Sequence, residues 1–329
     1  MIYPDFLEEG SVIGICAPSA GVGKKLDDFE QSLEVLHNEG FETVETDSVR
    51  IDADRGGDAY TRAEELKELF EDPDVNMVWA AAGGDFLMEM LEYTDFDAMA
   101  EHPKWFMGAS DPTGLLFPYT VACDVATLYG FNAGSYDIDP APQYAEESLK
   151  LLKGEIPYLE SSEMHMGQPK YTAEEISFEE PTVYESNCDE LDVSGRCIGG
   201  CIDSIKDIIG TPLVPMDDFL ERYKDDGTIF FFDNFSMSAE NFYRTLLQMR
   251  YAGWFRYTQA VLIGRVCFPS SETGMTYREA LDLALTDADI PYISEVDIGH
   301  TLPCMPIISG AIMNLHYEDG KAAFTFELR

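Results

Sequence analysis

Short apolar runs alternate along the first half of the chain with stretches in which apolar positions recur at helical spacing. Ser11-Val12-Ile13-Gly14-Ile15-Cys16-Ala17 has the continuous apolar character of a buried strand, and the periodic segment after it predicts a helix closing near Gly40. Thr61 is placed to cap a helix running to Phe70. Met77-Val78-Trp79-Ala80-Ala81 predicts the next strand, Gly83-Gly84 a tight turn, and Phe86 the start of a short helix. Trp105-Phe106-Met107 predicts a further strand ended by Gly108. This alternation is the pattern of a parallel α/β sheet.

A helix is expected from Tyr144 to Leu152, followed by a stretch rich in Glu, Ser, Pro and Tyr with no sustained period. Regular patterning returns at Arg196-Cys197-Ile198, with a turn at Gly199-Gly200 and a helix ending at Gly210-Thr211-Pro212. Thr228 to Phe232 and Ala260 to Ile263 predict buried strands. Ser238 suits the N-cap of a helix reaching Ala252, and Thr276 and Glu279 have capping-box spacing. Tyr292 to Val296 predicts another strand, and Asp319-Gly320 the turn of a closing hairpin. The expected fold class is α/β in two domains. Residues 1–155 form an N-terminal parallel α/β domain, 156–192 a crossover, and 193–329 a C-terminal α/β domain with a mixed sheet.

Composition narrows the class of partner. The 329 residues carry 62 acidic and 21 basic side chains, a formal charge of -41, which excludes a nucleic-acid binder working through a basic footprint. With 45% hydrophobic residues the chain can bury a substantial core, so this acidity belongs to a folded surface. No apolar stretch approaches the ~18 residues of a membrane span, and the opening residues lack a signal-peptide layout. A cytoplasmic protein with no membrane partner is expected. Seven scattered cysteines fit a reducing compartment. Cys197 and Cys201 stand four apart with no second ligand pair, so neither metal nor cofactor is expected.

Trp105 to Gly114 is the most informative segment: an apolar strand enters a turn of small residues at Gly108-Ala109-Ser110-Asp111. Such a turn can project the Ser110 hydroxyl from a sheet edge, with the next amide aimed where an oxyanion forms. Equally, Ser110 can act simply as a helix N-cap, and the residues alone leave both readings open. Of the five histidines, His300 alone lies in an apolar turn, which makes it the candidate base. Asp233 ends the apolar run from Thr228 and is the candidate orienting carboxylate, with solvent capping as its alternative.

Ser110, Asp233 and His300 follow the order serine, acid, histidine, and the surrounding segments resemble the LD-carboxypeptidase family of serine peptidases, which includes the microcin C self-immunity hydrolases. The similarity spans nearly the whole chain. It rests on Gly10 to Ser19, on Gly83-Gly84 through Asp97, on Gly108-Ala109-Ser110-Asp111, on Gly195-Arg196, Gly199-Gly200 and Gly210-Thr211-Pro212, and on Gly299-His300. The resemblance implies an active site in a cleft between two domains and commonly a homodimer. It implies that His300 deprotonates Ser110 while Asp233 orients the imidazole, that the Gly84 and Asp111 amides form the oxyanion hole, and that Gly83 and Asp85 lie beside the substrate.

Three positions depart from the family pattern. Asp233 stands where glutamate is usual, shorter by roughly 1.5 Å of reach, with Asp297 and Glu295 as possible substitutes. Ala82 stands where carboxypeptidase members often carry arginine, which weakens the case for a substrate with a free terminal carboxylate. Ala109 replaces a frequent tyrosine. The expected activity is amide hydrolysis, of murein peptides ending in a D-amino acid or of a peptide-nucleotide conjugate. The alternatives are a peptide-binding or regulatory protein with weakened catalysis, and an α/β enzyme using Gly83-Gly84 as a phosphate turn, which lacks the Gly-x-Gly-x-x-Gly that would support it.

Overall fold

The structure, a computed structural model, describes residues 1–138, 141–167 and 176–329. The chain divides into two compact units, one of Met1–Ile156 with Pro306–Ser309 and one of Pro157–Met305 with Gly310–Arg329.

In the first unit β1 (Val12–Cys16), β2 (Glu42–Glu45), β3 (Val75–Ala80), β4 (Trp105–Gly108) and β5 (Thr127–Tyr129) lie parallel in the order β2-β1-β3-β4-β5. The late segment Ile307–Ser309 pairs antiparallel with β5 and completes six strands. Every residue of β4 is buried, which explains its unbroken apolar run. Phe29 of α1 (Leu26–Asn38) is buried, and Phe70 of α2 (Ala59–Glu71) meets Phe106 and Tyr119 edge-on, Tyr119 lying on α3 (Thr113–Cys123), so helices pack on the sheet through aromatic side chains. The start of α2 differs from expectation. Asp58 is the N-cap and Thr61 is its client, donating its amide to the Asp58 carboxylate. An aspartate three residues earlier satisfies the first-turn amides as well as a threonine does.

The second unit is built on an eight-stranded mixed sheet. β6 (Glu190–Cys201), β7 (Thr228–Asp233), β8 (Thr258–Gly264) and β9 (Tyr292–Val296) are parallel neighbours. β10 (Ile312–Glu318) and β11 (Lys321–Glu327) form the expected hairpin and continue the sheet antiparallel from β6. Leu159–Glu160 and Glu185–Ser186 add the two edges. Segments of two residues leave no periodicity in a sequence, which is why this region predicts no strands.

Gly199-Gly200 also differs from expectation. Both glycines continue β6, in register with Phe231 and Phe232 of β7, and a Cβ on Gly199 would run into the Phe231 carbonyl. They mark close backbone approach within the sheet. The caps at Ser238 and Thr276 are as expected. Ser238 opens α4 (Ala239–Tyr251), and Thr276 with Glu279 forms a complete capping box on α5 (Tyr277–Ala284).

Candidate functional site

Ser110 does not cap α3. The N-cap is Pro112, and Ser110 stands two residues before it with φ 67°, in the left-handed region that a side chain enters only at a cost. β4 ends at Gly108, the chain turns sharply at Ser110, and Thr113 returns its amide to the Ser110 carbonyl at 2.9 Å. That is the strand-turn-helix geometry that lifts a nucleophile out of a sheet. Asn132 grips the turn from beside it, accepting the Ala109 amide at 3.0 Å and donating to the Ala109 carbonyl at 3.4 Å. The Tyr129 hydroxyl accepts the Ser110 amide at 3.4 Å.

The Gly83-Gly84 turn lies against this serine. A Cβ added to Gly83 would sit 2.9 Å from the Ser110 Cβ and 3.0 Å from its Oγ, and one on Gly84, at φ 149°, would collide with the Ser19 hydroxyl. Glycine is required at both, in one case by the serine and in the other by backbone conformation and crowding together. Ser19 Oγ donates to Asp111 Oδ2 at 2.5 Å and accepts the Phe86 amide at 3.3 Å, while Asp111 Oδ2 also accepts the Leu87 amide at 2.9 Å. Burial raises the Asp111 carboxyl above its ordinary range, and those donors pull against the shift. The Asp111 side chain therefore ties the serine turn to the loop that follows Gly84. Buried Arg62 braces the same loops, donating to the Pro18 carbonyl at 2.6 Å and the Phe86 carbonyl at 3.2 Å.

In the second unit Asp233 ends β7 fully buried, and His300 Nδ1 lies 2.7 Å from its Oδ2. The shorter acid reaches the imidazole because the backbone comes to it. Gly299, at φ 100°, presents no side chain to Asp233, and a Cβ there would run into Asp233 Oδ1. The Phe235 ring covers the imidazole at 4.6 Å between centroids. Asp203 accepts the Phe235 and Ser236 amides at 2.9 and 3.2 Å, which holds the loop carrying that ring. Burial alone would lower the His300 pKa, but the charges of Asp233 and Asp203 override it and the net shift is upward from 6.5. The Cys304 thiol accepts the Gly299 amide at 3.3 Å and closes the turn.

Two family models match this chain, the LD-carboxypeptidase N-terminal domain over residues 13–130 and the LD-carboxypeptidase C-terminal domain over residues 194–315. The chain belongs to the LD-carboxypeptidase family. It is 25% identical over 336 residues to the microcin C7 self-immunity protein of Escherichia coli, covering 97% of this chain and 94% of that protein. A structure of microcin C7 self-immunity protein in complex with aspartyl sulfamoyl adenosine superposes with a TM-score of 0.81 at 24% identity, covering 100% of this chain and 99% of that one. A muramoyltetrapeptide carboxypeptidase from Oxalobacter formigenes superposes with a TM-score of 0.75 at 20% identity, covering 96% and 99%. An LD-carboxypeptidase fold and a carboxypeptidase-type hydrolase follow.

In this member of the family the candidate residues fall into two groups. Ser110, Gly83, Gly84 and Asp111 gather in the first unit, and Asp233 with His300 in the second. Asp85 is exposed beside Gly84. Of the substitute orienters, Asp297 is fully buried with its oxygens bound by Ser162, Tyr184 and Arg265. Glu295, at φ 61°, has its carboxyl raised by burial. Asp233 is the carboxylate in contact with His300.

Asn132, Tyr129, Arg62 and Asp203 were not expected at the site. Each acts through a contact 19 or more residues away in sequence, and nothing in its local pattern distinguishes it from an ordinary polar residue.

Proposed function

We propose that this chain is a serine hydrolase of amide bonds in which Ser110 attacks the scissile carbonyl, His300 accepts its proton, and Asp233 holds the imidazole tautomer. The Gly84 and Asp111 amides stabilise the oxyanion, His300 passes the proton to the departing nitrogen as the C–N bond breaks, and water deprotonated by the same histidine then releases the acyl group from Ser110. The observation that carries the reading is the left-handed Ser110 packed against Gly83, since strain of this kind persists where a function requires it. The Asp233–His300 contact supports the reading of His300 as the base and counts against catalysis weakened by a short acid.

We infer further that the substrate is a peptide-nucleotide or aminoacyl-nucleotide conjugate in preference to a murein peptide with a free terminal carboxylate. Ala82 offers no cation ahead of the Gly-Gly turn. Arg62 is engaged with two carbonyls, and Arg55 is paired with Glu89 at 2.6 Å. A carboxylate arriving beside Ser110 therefore finds no arginine free to receive it from these positions. The likeness to the self-immunity protein supports the same class.

Purified protein, incubated without added metal or cofactor, is expected to release the aminoacyl group from an aminoacyl-sulfamoyl adenosine, followed by mass spectrometry. A murein L,D-tetrapeptide in parallel is expected to stay intact. Release of terminal D-alanine with no cleavage of the conjugate would reverse the substrate assignment.

The base must be neutral to act. Because the folded His300 pKa is raised, kcat/KM is expected to climb with pH through a limb lying above about 6.5. A limb below that value would disagree with an imidazole held by Asp233.

A further inference from the structure

Asp297 and Arg265 form a buried ion pair that the proposed mechanism does not use. Asp297 is 0% and Arg265 4% exposed, and Arg265 Nη1 donates to Asp297 Oδ1 at 2.6 Å. The Asp297 carboxylate also accepts the Ser162 amide at 2.7 Å, the Ser162 hydroxyl at 3.0 Å and the Tyr184 hydroxyl at 2.7 Å. Four segments converge on this carboxylate: the chain after Leu159–Glu160, the stretch before Glu185–Ser186, the end of β8 and the end of β9. A buried carboxylate is tolerated only when its lone pairs are met this fully, and an apolar cluster would hold four segments together at less cost. Stability is thus a weak explanation for it.

Asp297 opens the turn that carries His300. Its carbonyl accepts the Met305 amide at 2.8 Å, so residues 297 to 305 form a closed loop, which the bond from the Gly299 amide to the Cys304 thiol tightens from within. Behind the loop, a Cβ on Gly264 would run into the Ile298 carbonyl, and the Arg265 amide reaches the Val296 carbonyl at 3.3 Å. The loop is thus pressed between β8 and Asp233; the Asp297 carboxylate anchors its start in the interior, and further along the Leu302 carbonyl accepts the Met166 amide at 3.0 Å.

We propose that Asp297, held by Arg265, Ser162 and Tyr184, is the positioning residue that sets His300 against Asp233. The proposal rests on the reading of His300 as the base. Asp297 does not touch the imidazole; it fixes where the loop leaves β9, three residues before His300. That in turn fixes whether Nδ1 meets a carboxylate that is one methylene shorter than the family's usual acid. The short acid makes the placement exacting, because a misplacement of about 1 Å costs on the order of a hundredfold in rate.

The test compares Tyr184→Phe, Asp297→Asn, Arg265→Met and Arg265→Lys with the unaltered protein. Each is assayed for kcat, KM, the acid limb of kcat/KM and the unfolding midpoint, and the His300 imidazole is titrated by NMR. Tyr184→Phe removes only a hydroxyl and keeps the packing, so it remains informative even where Asp297→Asn or Arg265→Met fails to fold.

For Tyr184→Phe, kcat is expected to fall about tenfold, with KM within about twofold. Asp297→Asn is expected to lose on the order of a hundredfold. In both, the imidazole pKa and the acid limb should move to lower pH, because a displaced ring loses the Asp233 charge while Asp203 and the neutral Cys304 thiol stay in place. Arg265→Lys, which keeps the cation, should recover most of what Arg265→Met loses.

A lowered unfolding midpoint with kcat and the imidazole titration unchanged in Tyr184→Phe and Asp297→Asn would make the pair structural only and overturn the proposal. The underlying reading fails separately, if His300→Ala keeps full turnover. The NMR titration reports the ring's placement without reference to activity.

Discussion

Replacing Ser110 with alanine is expected to lower kcat by at least about 10,000-fold, with KM little changed, because a nucleophile's removal leaves only binding and oxyanion stabilisation. The fold should be unaffected. Alanine keeps the Cβ and the φ of 67°, so Ser110→Ala should unfold at nearly the same denaturant concentration as the unaltered protein. Ser110→Gly should be equally inactive yet more stable by roughly 1 kcal/mol, since glycine adopts that φ without strain. This pair of results separates the two properties of the position. Turnover by Ser110→Ala within tenfold of the unaltered enzyme would show that the hydroxyl is not the nucleophile.

The second large effect is expected at Asp233. Asp233→Asn preserves shape but presents the imidazole with an amide, which favours the wrong tautomer and cannot stabilise the charged ring, so kcat should fall by about 10,000-fold. The His300 pKa should drop as well, since its upward shift depends on the Asp233 charge against the opposing pull of burial. Lengthening the side chain should not help. In Asp233→Glu the extra methylene must be accommodated where the Gly299 backbone already lies against the carboxylate, and a loss on the order of a hundredfold is expected from the displaced contact. Kinetics of the two variants, read beside an NMR titration of the imidazole, check both statements. Activity of Asp233→Glu equal to the unaltered protein would show that the loop gives way easily and that the placement of His300 is not exacting.

Much of this was legible in the sequence because the elements concerned announce themselves locally. Buried parallel strands leave unbroken apolar runs such as Ile229 to Phe232, and the box at Thr276 and Glu279 needs only residues three apart. Ser110 was legible as a candidate because small residues crowd its turn, although only the backbone angle decides between a projecting hydroxyl and a cap. The bracing groups were not legible. Asn132 holds Ala109 from 23 positions away and Ser162 reaches Asp297 across 135, and at such separations a lone polar residue carries no sign of its partner. Gly199-Gly200 misled for a related reason, since glycine marks a turn and a close strand-to-strand approach with the same letter.

The strand Ile307–Ser309 has a consequence for how the protein is made. It lies 151 residues beyond the end of the first unit's main segment, 307 minus 156, yet it covers the β5 edge of that unit's sheet. A ribosome that has finished Met1–Ile156 has therefore made every parallel strand of the sheet but not the one that seals it. Until Ile307–Ser309 is available, the edge at Thr127–Tyr129 is open to any passing strand. The nascent chain has to wait for its own C-terminal part, and separate expression of residues 1–156 would yield an open, aggregation-prone edge.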